Sequence, residues 1–251
     1  MIQHSFPTRR SSDLGRLRVA WTEDFGQCPV GGAIREVMRA RLGAIRHLFR
    51  ACEEVRFDFG EADRCFDIVR AQNFLVRYQA AYDKDPASLG PNVRANYEAG
   101  AGMSLADAAW AHAEQTRIFR RFQANFRDWD LVLSPTTPVS PFPWTQLYLP
   151  ELEGRKLDNY YHWLALTYYI TLVTNPSISL PCGVDHKGMP FGLQVTGRFR
   201  GDVEVLNAAE AMEQAFAGIP GLQRPRPDIA KLEAAPHPEL KSIVTHPPAM
   251  T

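Results

Sequence analysis

The stretch from Thr174 to Arg200, TNPSISLPCGVDHKGMPFGLQVTGRFR, restricts the fold of this chain more than any other. Ser177–Leu180 is short, apolar and β-branched at Ile178, and Pro181-Cys182-Gly183 closes it. Asp185–Gly188 is polar and ends in a turn glycine. Pro190–Thr196 then runs extended into Gly197, so the pattern reads as a hairpin. Asp202 can cap a following helix, Val203–Phe216, with Val205, Leu206, Ala209, Met212, Glu213 and Phe216 at helical spacing. Gly192 falls inside the second strand. Glycine weakens a strand interior, and its presence there points to a close approach by a backbone or a ligand.

The elements before this hairpin add a crossover unit. Arg16–Trp21 alternates and reads as a strand, and Ile34, Val37, Met38, Leu42, Ile45, Leu48 and Phe49 share one helical face. Glu54–Phe59, with Val55, Phe57 and Phe59 alternating, predicts a second strand parallel to the first. Ala62–Tyr82 predicts a helix ended by Asp85-Pro86, and Pro86–Gly102 is turn-rich. Gly100-Ala101-Gly102 lacks the third glycine and the preceding strand of a dinucleotide loop. Ser104–Arg127 is the clearest helix. Ser104 with Asp107 gives it a capping-box start, and Phe119, Phe122 and Phe126 form a core-facing stripe. Asp130–Leu133 predicts a strand, Ser134–Pro138 a rigid hydroxyl-bearing loop, Pro141–Glu153 a surface loop and Asn159–Leu172 an aromatic helix. The expected fold class is α/β, a mixed β-sheet flanked by helices on both faces.

Composition removes several classes of function. The 251 residues carry 28 basic and 28 acidic side chains, so no charge footprint favours nucleic acid or an anionic membrane. No apolar run reaches the ~18 residues that span a bilayer. Cys28, Cys52, Cys65 and Cys182 are scattered, which is no disulfide framework and makes a reducing cytoplasm the expected compartment.

Three segments divide the chain. Residues 1–14 have no periodicity, and Phe6–Leu14 translates a string resembling a sequencing-library adapter, so 1–14 is read as a non-native or disordered tail. Residues 15–224 form the domain. Residues 225–251 are a proline-rich tail.

No complete catalytic set is present. There is no G-x-S-x-G elbow and no H-E-x-x-H zinc motif. His47, His112, His162 and His186 are isolated, and Cys182 reads better as a small buried residue than as a nucleophile.

Asn175-Pro176, Ser179–Gly183, Gly188–Gln194 and Gly197-Arg198 together closely resemble the C-terminal core of the amidase signature family. The resemblance extends in order over most of Gly15–Phe216. It includes the L-R-V-A-W strand, the long helix and D-L-V-L-S-P-T-T-P. It implies carboxamide hydrolysis by a Ser–Ser–Lys triad, with no cofactor and a small-molecule amide as partner; a homodimer is expected of the complete form. Family members carry the lysine and the glycine/serine-rich loop upstream. Lys84, Lys156, Lys187, Lys231 and Lys241 precede no such loop, so no residue of this chain is assigned as catalytic and the chain alone is expected to be inactive. The resemblance makes Thr136, Thr137 and Asn175 the candidate substrate-binding residues, and makes the missing serine loop the element expected to approach Gly192. Many members have asparagine and glycine where this chain has Thr171 and Thr174. Two other readings stand beside it. One is a non-catalytic binding paralogue. The other is the amidase component of a tRNA-dependent amidotransferase, which usually carries an acidic residue near the position of Leu164.

Overall fold

The computed structural model describes residues 12–143 and 146–234. Seven strands, β1 (Arg18–Trp21), β2 (Ala51–Glu54), β3 (Leu131–Pro135), β4 (Glu151–Leu152), β5 (Arg155–Lys156), β6 (Ser177–Val184) and β7 (Pro190–Gly197), form two sheets. The main sheet has the order β2-β1-β3-β7-β6, and β4 pairs only with β5. β1 is parallel to β2 and β3, whereas β7 is antiparallel to β3 and β6, so the sheet is mixed as expected. The helices are α1 (Gly32–Ile45), α2 (Ala62–Lys84), α3 (Pro91–Ala101), α4 (Leu105–Ala124), α5 (Ala165–Leu172), α6 (Asp202–Ala217) and α7 (Ile229–Ala234).

The central strands explain the layering. All five residues of β3 are buried, which requires cover on both faces. Leu133, Val195 and Ile178 line up across β3, β7 and β6, and so do Pro135, Leu193 and Leu180. This apolar face is covered by α6, whose Val205 occupies the space a side chain at Gly197 would fill. Val205, Ala209, Met212 and Phe216 are buried as the spacing predicts, while Leu206 is exposed. On the other face the Gln194 amide donates to the Leu166 carbonyl of α5.

The predicted capping box at Ser104 forms in both directions, and Phe122 is buried with Phe119 and Phe126 packed beside the core. Four expectations are corrected. The second strand lies at Ala51–Glu54, not Glu54–Phe59; Phe57 and Phe59 instead pack edge-on against Phe25, so their alternation records an aromatic wall. Pro86–Gly102 contains α3. Pro91 sits at its first turn, where no donor is needed, and Gly100 lets it approach the Ala71 backbone of α2. The aromatic helix begins only at Ala165. Gly201, not Asp202, is the N-cap of α6; Asp202 is its first residue, where a carboxylate meets the helix dipole.

At the N-terminus, Leu14 lies in a short 3-10 turn capped by Asp13, partly buried against the core. Residues 1–11 of the predicted tail lie outside the described residues, as do 235–251 of the C-terminal one.

Candidate functional site

Strand alternation places the polar residues of the hairpin on one face. Ser177 pairs with Thr196, Ser179 with Gln194 and Pro181 with Gly192, while Ser134 of β3 lies opposite Gln194. The side chains interlock. Gln194 donates to Ser134 Oγ at 3.0 Å, and Ser177 Oγ and Thr196 Oγ1 are 3.0 Å apart. This face opens into a cavity of about 560 Å³ between α5 and the start of α6, bordered by Thr167, Thr171, Ser177, Ser179 and Arg200.

The three predicted site residues occupy two ends of this face. Thr136 continues β3: its N–H donates to the Gly192 carbonyl at 2.9 Å, and its hydroxyl lies 2.7 Å from Ser179 Oγ. Thr137 is exposed, with one long hydrogen bond to the Val139 carbonyl at 3.3 Å. Asn175 lies at the far end and is buried. Its amide accepts from Gln123 and donates to the Gly197 carbonyl, each at 2.6 Å, and the residue also borders the cavity. Thr136 and Thr137 therefore share a strand end, whereas Asn175 fastens α4 to the end of β7.

The expected opening above Gly192 is closed by this chain itself. A Cβ there would lie 2.7 Å from Ser179 Oγ and 2.9 Å from Thr136 Oγ1. The approaching groups are those two hydroxyls, with no element from outside needed. Thr174, at the end of α5, has φ of +51°, the left-handed region that a β-branched side chain disfavours.

A second polar cluster, not foreseen from the sequence, joins α2 to the segment entering α5. Asp63 accepts from Tyr168 at 2.5 Å, from Tyr169 at 3.0 Å and from Arg155 at 3.0 Å. Asp67 accepts from Tyr161 at 2.6 Å and meets His162 Nε2 at 2.9 Å. Burial alone would depress the His162 pKa, but the Asp67 hydrogen bond and charge outweigh it and raise it. The only signal in sequence is the tyrosine density of 160–169, which equally suits an apolar core.

Chemically, the polar face offers hydroxyls and an amide without a base. Among the described residues no lysine or histidine borders the 560 Å³ cavity. The thiol of Cys182 is fully buried, and burial pushes it up to about 11, so it is no nucleophile at neutral pH. No cluster among the described residues has the makings of a metal site, and no described helix is long and apolar enough to cross a membrane.

A mixed sheet between helices, with a hydroxyl-rich face at its antiparallel end, defines an α/β protein. The sequence model described as Amidase matches residues 2–206, and the chain belongs to the amidase signature family. It is 25% identical to an acylamidase of Rhodococcus erythropolis over 212 residues, 83% of this chain and 44% of that protein. It is 37% identical to one component of a glutamyl-tRNA(Gln) amidotransferase of Clostridium acetobutylicum over 100 residues, 39% of this chain and 19% of that one. The fold matches a bacterial aryl acylamidase with a TM-score of 0.71 at 20% identity, covering 81% of this chain and 44% of the other. The chain thus spans less than half the length of the relatives it matches.

Proposed function

We propose that this chain is part of a carboxamide hydrolase acting on non-peptide C–N bonds, and that it supplies one wall of the substrate pocket. The observation that carries this reading is the polar sheet face, whose hydroxyls border a cavity with no lysine or histidine among the described residues of its lining. In the family's chemistry a lysine draws a proton through one serine while a second serine attacks the amide carbon, and an acyl-enzyme is then hydrolysed. The lysine must be held unprotonated, which requires burial. Those groups would come from a segment this chain does not contain. The exposed Thr137 hydroxyl, which donates to the Val139 carbonyl, keeps acceptor capacity for a substrate N–H. Thr136, locked to Ser179 and Gly192, sets the position of that loop. Asn175, at the rim of the same cavity, holds the end of β7.

Purified chain incubated with acetamide, propionamide and aryl amides should show no turnover. Turnover that survives repurification and is abolished by a serine-directed inhibitor would overturn the reading. The amidotransferase reading keeps one specific support, the 34–37% identity to the corresponding component of several such enzymes over 100–153 residues. Ammonia transfer to a glutamyl-tRNA by the completed protein, with no release from simple amides, would favour it.

A further inference from the structure

A second cavity, of about 350 Å³, lies where the loop after β3 meets the start of β7. Its walls are aromatic: Phe142 and Trp163 pack edge-to-face with centroids 5.4 Å apart, and Phe191 and Ile34 close it from the sheet and α1. The Trp163 indole N–H is already spent on the Tyr160 carbonyl at 3.1 Å, so the ring is fixed and presents apolar surface. Three polar residues, Thr137, Ser140 and Asp185, interrupt this lining. Ser140 is 8% exposed, and its hydroxyl faces the Asp185 carboxylate, whose pKa it helps to lower, without reaching the geometry of a full hydrogen bond. With its proton turned toward Asp185, the Ser140 oxygen keeps acceptor lone pairs that a ligand donor can reach. Asp185 itself is occupied, its Oδ1 accepting from the N–H groups of Lys187 and Met189 at 2.8 and 3.0 Å. A buried carboxylate at the wall disfavours an anionic occupant. Thr137 borders the same cavity, so it connects this space to the loop assigned above to substrate.

We propose that this cavity is a subsite for an uncharged aromatic group of the substrate, with the Ser140 hydroxyl hydrogen-bonding one polar substituent on the ring. Small-molecule sites of this kind are mostly apolar, few-hundred-Å³ spaces in which one or two polar groups fix orientation. Calling the occupant part of a substrate rests on the amidase reading; its binding rests on the cavity alone.

The test is a titration of the full chain with 4-hydroxyphenylacetamide, phenylacetamide, phenylacetate and propionamide. The readout is the Trp163 indole N–H resonance, identified by its loss in Trp163→Phe. The hydroxylated aryl amide should shift that resonance saturably, phenylacetamide should bind about threefold to tenfold more weakly, and propionamide and phenylacetate should leave it unmoved. Ser140→Ala should erase the advantage of the ring hydroxyl while retaining phenylacetamide. Phe142→Leu, on a half-buried loop position where folding is least at risk, should weaken both aryl amides. A Trp163 resonance indifferent to all four compounds, or moved equally by propionamide, would overturn the subsite. So would unchanged aryl binding in folded Phe142→Leu. The amidase reading fails by a separate observation, the turnover assay above, so absent or indiscriminate binding at Trp163 removes the subsite and leaves that reading standing.

Discussion

Thr174 and Gly192 are each held by backbone geometry, and each makes a prediction. Thr174 takes a left-handed conformation at the end of α5, where helices commonly place glycine. Thr174→Gly relieves strain of ~1–2 kcal/mol and gives back part of it as unfolded-chain entropy, for a net gain of about 0.5–1 kcal/mol. A thermal melt shifted upward by a few degrees is the expected result. Gly192→Val goes the other way. The added atoms meet Ser179 and Thr136, so this chain by itself should lose about 1–3 kcal/mol. Adding Ser179→Ala should recover part of that loss, and additive costs in the double variant would show that the two sites do not touch. That Gly192 marks a close approach is legible in the sequence. What approaches it is not, because Thr136 and Ser179 arrive from two different strands.

Among the elements, those closed by local chemistry are the ones the sequence reveals. The Ser104–Asp107 capping box, the Asp185–Gly188 turn and the stop at Asp85-Pro86 each use side chains within four residues of one another. α3 escapes because proline and glycine read as breakers, although Pro91 serves as a helix start and Gly100 as a contact. The polar sheet face is half-legible. Ser177 and Ser179 alternate, as do Gln194 and Thr196, but only the register shows that they stand side by side. The Asp63 and Asp67 network is illegible, since its members lie about a hundred residues apart on α2 and the entry to α5.

That network gives a pH dependence. The His162 pKa is raised in the fold, so its contribution is fully present below the ordinary histidine value of about 6.5 and is lost as pH rises through the raised value. Chemical denaturation at pH 6 and again at pH 9 should find the protein more stable at the lower pH from this source. Asp67→Asn should shrink the difference, and a difference of the same size in that variant would assign it to other groups.

For the whole molecule, Asp13 and Leu14, at the end of the predicted tail, form a turn against the core. Removing residues 1–14 takes away Leu14 and the Asp13 cap of its turn. The expected cost is on the order of 1 kcal/mol, a drop of a few degrees in Tm. An unchanged melt would mean that the contact of Leu14 with the core carries no stability.

β6 is the last strand of its sheet among the described residues, eight residues long and antiparallel to β7 on one side only. Its other side presents backbone donors and acceptors in a row, with Ser177, Ser179 and Val184 exposed along it. No lysine interrupts it, and its Pro181 and the irregular pairing between Pro181 and Val184 blunt only the far half. Ser177–Leu180 is thus a ready template. An extended peptide of alternating polar and apolar residues could be recruited there as a sixth strand, and in concentrated solution so could the same stretch of another copy. Solubility should therefore be the first property to fail when this chain is handled alone.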